Sequence, residues 1–206
     1  MPLSLQTKMG DANVSVWSIT ETEEELVNLV PYDCSHALAS MSGERRRKEW
    51  LAVRALLAEV CGSDERICYD EWGKPFLVSG SGFITVSHTD GYALIAYSEE
   101  VEVGADIELI SRDVTRVARK FVPEIEIEDY KCNSMLLLRW CVCEALFKLV
   151  GDVEGTYKDN IRMKPLRPRS SGSMTVVLYD SADDIGGCKY TANYMKAGDL
   201  LICCVQ

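Results

Sequence analysis

Apolar and polar residues alternate over Val14-Ser15-Val16-Trp17-Ser18-Ile19, a β-branched run whose period of two predicts a strand. Thr20 follows, with Glu23 three residues on as in a capping box, so a short helix is expected through Val30. From Ser42 to Val60 the period lengthens to that of a helix, placing Trp50, Val53, Leu57 and Val60 on one face. Phe83–Val86 and Tyr92–Tyr97 read as two strands joined through Thr89-Asp90-Gly91 as a hairpin turn. Val103 to Glu108 is again strand-like, and Leu200 to Val205 closes the chain with a strand. Residues 165–173, Pro-Leu-Arg-Pro-Arg-Ser-Ser-Gly-Ser, are the clear candidate for a poorly ordered loop.

The second half replays the first. Val103–Glu108 follows Val14–Ile19 by about half the chain. Arg139-Trp140 opens a helical stretch as Lys48-Glu49-Trp50 does, and four residues after each tryptophan stands a charged group, Arg54 or Glu144. The expected fold is therefore α+β: two similar α+β halves, residues 1–100 and 101–206, related by a pseudo-twofold duplication and packed around a central cleft. Such a chain supplies both walls of its own cleft, so a monomer is expected.

Composition narrows the class. The 206 residues are 47% hydrophobic and 26% charged, ordinary for a globular protein. The start, Met1 to Lys8, lacks the pattern of a signal peptide, and no stretch approaches the ~20 apolar residues of a membrane span. Nine cysteines at no framework spacing read as buried thiols in a reducing cytoplasm. With only His36 and His88 to join them, a zinc site is not expected. A net charge of −10 argues against nucleic acid and anionic membranes as partners. Residues 44–54 and 158–169 nevertheless carry local excesses of positive charge. These are either solvated faces or seats for a small polyanion or an acidic partner.

Four short patterns carry the candidate chemistry. In Val103-Gly104-Ala105-Asp106-Ile107-Glu108, residues two apart share a face, so Asp106 and Glu108 present adjacent carboxylates. Close like charges call for a cation or a shared proton, and hard oxygens with phosphate suit Mg²⁺; otherwise this is an exposed edge strand. Glu144 and Lys148 stand four apart on a helix, either as a wet ion pair or, given how apolar Arg139–Lys148 is, facing inward. Gly73-Lys74-Pro75 reads as a tight turn that projects Lys74 toward a phosphate or toward solvent. Ser87-His88 ends a strand, where the histidine is structural or donates to a phosphate oxygen.

In this order the four patterns resemble those of the Sfp-type 4′-phosphopantetheinyl transferases of the holo-acyl-carrier-protein synthase superfamily. That family shows Gly-Lys-Pro, Ser-His, Val-Gly-x-Asp-x-Glu and Trp-x-x-Lys-Glu-Ala-x-x-Lys, the last standing here as Trp140 to Lys148. The resemblance covers roughly residues 44 to 150, with a looser echo in Arg116–Glu124 and at the C-terminus. It implies transfer of phosphopantetheine from coenzyme A to a serine of an apo acyl or peptidyl carrier protein, with Mg²⁺, releasing 3′,5′-ADP. Asp106, Glu108 and Glu144 would be the metal ligands. Glu144, or a water on the ion, would take the serine proton, and Lys148 would neutralise the departing nucleotide. Lys74, Ser87 and His88 would contact phosphate, while Arg47 and Arg54 would reach the 3′-phosphate or nucleotide. The basic segments would meet the carrier's acidic helix.

One position departs from the pattern. The lysine before the helix glutamate is Cys143, which supplies no fixed charge, so a lysine restored there is expected to preserve or raise transfer. The alternatives are a non-catalytic coenzyme A- or carrier-binding relative weakened at Cys143, and a generic Mg²⁺-dependent phosphohydrolase built on Asp106 and Glu108.

Overall fold

Alternating side chains build the first sheet in the computed structural model, which describes residues 3–151, 156–179 and 186–206. The chain divides into two units, Met1–Val101 and Glu102–Gln206. Unit 1 begins with strands β1 (Leu3–Met9) and β2 (Ala12–Ser18), followed by helices α1 (Glu23–Leu29), α2 (Ser35–Ala39) and α3 (Glu44–Cys61). A small ribbon, β3 (Ile67–Tyr69) with β4 (Pro75–Leu77), precedes the hairpin β5 (Phe83–Thr89) and β6 (Tyr92–Ser98). The main sheet runs β1-β2-β6-β5, antiparallel throughout. Leu51, Leu56 and Leu57 of α3 pack with Trp17, Ile84 and Ile95 in one apolar core.

Two details of this unit differ from the sequence reading. The first helix is capped by Thr22, not Thr20: the Thr22 side chain accepts from the Glu25 N–H while Glu25 accepts from the Thr22 N–H at 2.8 Å. Both Thr-x-x-Glu pairs satisfy the capping pattern. The first is used up because Ile19 is still bonded to Gly91 O at 2.8 Å, so the chain has not yet left the sheet. The hairpin is also tighter, since β5 includes Thr89 and the turn is Asp90-Gly91, with Gly91 at φ +77°.

Unit 2 opens with β7 (Gly104–Leu109), two 3₁₀ turns (Thr115–Lys120 and Glu124–Asp129) and α4 (Asn133–Val150). Then come α5 (Tyr157–Asn160), β8 (Ile161–Met163), β9 (Ser171–Leu178), β10 (Cys188–Ala197) and β11 (Leu200–Val205). The sheet order is β7-β11-β10-β9-β8, again antiparallel. Helix α4 starts at Asn133, well before Arg139-Trp140. Arg139 is instead a buried clamp, 1% exposed, donating to Phe121 O at 2.8 Å, Tyr130 Oη at 2.7 Å and Ile161 O at 3.1 Å. The expected loop at 165–173 ends early, because Ser171–Ser173 already belong to β9. Its remainder is anchored, with Lys196 donating its side chain to Pro168 O at 3.0 Å and its N–H to Ser170 O at 2.7 Å.

Both units contain the same connection: a strand, a long helix and a hairpin whose last strand pairs with the first. In unit 1 these are β2, α3 and β5–β6; in unit 2 they are β7, α4 and β10–β11. Unit 1 adds β1 outside β2, and unit 2 adds β9 and β8 beyond β10.

All nine cysteines are thiols; Cys34, Cys141, Cys143, Cys203 and Cys204 are buried, whereas Cys68 and Cys188 are exposed and do not fit the core reading. No helix among the described residues is long and apolar enough to cross a membrane.

Gly104 fixes how closely β7 lies against α4. A Cβ added there would stand 1.9 Å from the Ala145 carbonyl oxygen and 2.8 Å from the Leu149 nitrogen, both backbone atoms that cannot swing aside. Gly104→Ala should therefore cost about 3 kcal/mol or more in urea unfolding, since strand and helix must part to admit one methyl. A loss within about 0.5 kcal/mol would contradict this contact.

Candidate active site

The residues of α4 that face β7 recur every fourth position: Trp140, Glu144 and Lys148. Opposite them Asp106 and Glu108 are 5% and 4% exposed, so the exposed-edge reading does not hold. Lys148 Nζ donates to Asp106 Oδ1 at 2.8 Å and to Ala105 O at 3.2 Å. The lysine thus reaches across to the strand, and the wet ion pair with Glu144 is not its main engagement. Glu108 Oε1 accepts from the Trp140 indole N–H at 3.0 Å and from the Arg112 guanidinium. The Tyr157 hydroxyl donates to Glu144, and its ring packs edge-on against Phe147 with centroids 5.7 Å apart.

Three carboxylates therefore share one electrostatic neighbourhood with two cations. Burial, and next the Asp106 charge, push the Glu144 carboxyl above the usual carboxylate range, against the pull of Lys148. Burial and the nearby Glu144 push the Tyr157 phenol up in turn. Arg112, by contrast, is held more firmly protonated by its bond to Glu108, with Asp106 and Glu144 adding to the effect. The donors are all hard oxygens in a negative setting, which fits the chemistry of a magnesium-like ion. Among the described residues, no three His, Cys, Asp or Glu side chains form a ready cage. Loading such an ion would therefore require the chain's own cations to yield.

The candidate phosphate contacts lie in unit 1, and there the structure is selective. A groove of about 630 Å³ is lined by Arg45, Arg46, Glu49, Trp50, Arg54, Tyr69 and His88, among others. Arg54 is 5% exposed, lies 3.9 Å over the Trp50 ring and donates to Tyr69 Oη at 3.3 Å. His88 Nδ1 is 3.5 Å from Glu49, which also accepts from Arg45 at 2.8 Å. Arg54 and His88 thus line the same groove. Arg47 is not: one helical step away, it faces α1 and pairs with Glu23 at 2.8 Å. Ser87 is buried at 4% exposure, because neighbours on a strand point to opposite faces. Lys74 sits in the turn between β3 and β4, its N–H held by Asp70 at 2.8 Å, outside the groove lining.

Cys143 faces inward. It is 0% exposed within the core of unit 2, and burial pushes its thiol up to about 12. A lysine there would have to carry its ammonium through packed apolar atoms. The residue is a core thiol.

The site residues missed by sequence reasoning are Arg112, the indole of Trp140, and Tyr157 in unit 2, with Arg45, Arg46, Glu49, Trp50 and Tyr69 in unit 1. The spacing of four already sets Trp140, Glu144 and Lys148 in one stripe, and the same spacing could have shown the Arg45–Glu49 pair. Nothing local signals Tyr157.

No family model matches the chain. Among curated proteins, it is 38% identical over 115 residues to the 4′-phosphopantetheinyl transferase AcpT of Salmonella typhimurium, covering 52% of this chain and 60% of that protein. It is 41% identical over 66 residues to AcpT of Escherichia coli K12, covering 32% of this chain and 34% of that protein. The chain spans from about a third to three fifths of the length of these relatives.

The electrostatics of Glu144 make a pH prediction. Folding raises its pKa, so its contribution to stability is complete below the unfolded value and is lost as pH rises through the folded one. In chelator-treated buffer, Glu144→Gln should melt higher than wild type at pH 7, with the difference closing by about pH 4. A glutamine variant that melts lower at pH 7 would contradict this environment.

Proposed function

We propose, for a chain whose curated homologues are 4′-phosphopantetheinyl transferases, that it moves phosphopantetheine from coenzyme A to a serine of an acyl or peptidyl carrier protein. The observation that carries this reading is the convergence of Asp106 and Glu108 from β7 with Glu144 and Lys148 from α4. In the proposed reaction the serine oxygen bonds to the β-phosphorus and the bond from that phosphorus to the bridging oxygen breaks. The departing group is 3′,5′-ADP.

Each residue has a part in that proposal. Glu144, raised above the usual carboxylate range, suits the acceptance of the serine proton, a contribution of about 10²–10⁴-fold. Lys148 brings a positive charge to the side where the leaving group gains negative charge. Magnesium, with Asp106, Glu108 and Glu144 as the residues to hold it, would supply charge neutralisation at the diphosphate. Arg54 and His88, joined by Arg45 and Arg46, are the proposed contacts for phosphate and nucleotide, with Trp50 and Tyr69 as aromatic surface. The repeated strand–helix–hairpin order supports a pseudo-twofold duplication as the origin of the two units. The burial of Cys143 removes the motive for reading it as a lesion, and the catalytic reading is preferred on that ground.

The test is to incubate the chain with coenzyme A, Mg²⁺ and an apo carrier protein and to weigh the carrier. Wild type should add one phosphopantetheine, and Asp106→Ala should slow the addition by about 10²–10³-fold. An unmodified carrier with wild type would overturn the proposal, and released phosphate without an adduct would favour hydrolysis. The basic segment at 158–169 is the proposed seat of the carrier. Reversing charge at Arg162, Lys164 and Arg167 should raise KM for the carrier and leave that for coenzyme A unchanged, whereas equal loss for both would remove the docking idea.

A further inference from the structure

The turn that leaves β7 is unusually well tied down around Arg112. The Arg112 N–H donates to Leu109 O at 2.9 Å. Asn133, the first residue of α4, donates its side chain to Arg112 O at 2.8 Å and accepts from the Val114 N–H at 3.0 Å. Backbone bonds on both sides of Arg112 thus aim its side chain before any ligand arrives. The guanidinium pairs with Glu108 and lies 5.4 Å from the Trp140 ring centroid.

Arg112 and Trp140 converge on the same oxygen, Glu108 Oε1. They differ in what they bring. The indole orients the carboxylate without adding charge; the guanidinium adds a full positive charge. Removing the guanidinium leaves the orienting bond in place and changes mainly the electrostatics. Arg112 is also half exposed, with 47% of its side chain accessible against 5% for Glu108. It can therefore release Glu108 and swing into water without stranding a buried cation.

We propose that Arg112 sets the affinity of the carboxylate cluster for a divalent cation, acting as a built-in competitor for Glu108. The proposal rests on reading Asp106, Glu108 and Glu144 as ligands of such an ion. Arg112 is a positioning residue in this scheme and need not touch the substrate. By opposing the ion, it keeps the cluster from holding metal so tightly that the ion could not leave with its phosphate ligand. Screening at a half-exposed side chain limits the effect to a modest factor.

The direct test is Mn²⁺ binding to the whole chain, followed by electron paramagnetic resonance without coenzyme A or carrier. Arg112→Gln should bind Mn²⁺ about five- to tenfold more tightly than wild type, tenfold being about 1.4 kcal/mol. Arg112→Lys, which keeps the charge, should stay within about twofold of wild type. Trp140→Phe, which removes orientation and no charge, should not tighten binding. Thermal melts of each variant establish that it is folded. Equal or weaker binding by folded Arg112→Gln would overturn the role of Arg112 and leave the metal reading intact. Failure of Asp106→Asn to weaken Mn²⁺ binding would sink the metal reading itself, and this proposal with it.

Discussion

The approach of β7 to α4 at Gly104 is the constraint on which the rest of unit 2 depends. With no side chain at 104, the strand comes within contact distance of the helix backbone at Ala145. At that separation a lysine on the last turn of α4 can reach Asp106, and an indole two turns earlier can reach Glu108. Wider spacing would leave the same side chains unable to meet. The glycine of the Val-Gly-x-Asp-x-Glu stretch therefore acts through geometry, while the acids beside it are the ones proposed to carry the chemistry.

Packing them this tightly creates an electrostatic problem. Two carboxylates less than a tenth exposed, with a third above them, would be strongly disfavoured if left alone. The chain answers with Lys148, Arg112 and the Trp140 and Tyr157 donors, each aimed at one carboxylate. Even so, burial first and the Asp106 charge second hold the Glu144 carboxyl above the usual carboxylate range. In the proposed reaction such a setting would favour uptake of a cation or a proton, and both would be useful in transfer to a hydroxyl. Stability given up at such a site is a common companion of function.

Much of this was legible in the amino-acid sequence. The period of two on β7 put Asp106 and Glu108 together, and the spacing of four on α4 put Glu144 above Lys148. What failed were inferences about rotation. On a helix a single step is a turn of about 100°, enough to send Arg47 to Glu23 while Arg46 lines the groove, and to sink Cys143 into the core while Glu144 faces β7. On a strand the same step inverts the side chain, which separates Ser87 from His88. Thr20 and Thr22 both fit a capping box, and only the pairing of Ile19 with the hairpin decides between them. Arg112 and Tyr157 reach the cluster through a turn and a short helix, where no periodicity advertises a side chain's direction.

The central claim is that acids from β7 and α4 serve one cation. Titrating Mn²⁺ into isotope-labelled protein and following backbone amide signals by NMR tests it most directly. Paramagnetic broadening should appear together, at the same metal concentrations, at residues 106–108 and at residues 144–148. Broadening confined to one of the two elements, or spread without focus over the acidic surface, would contradict the account.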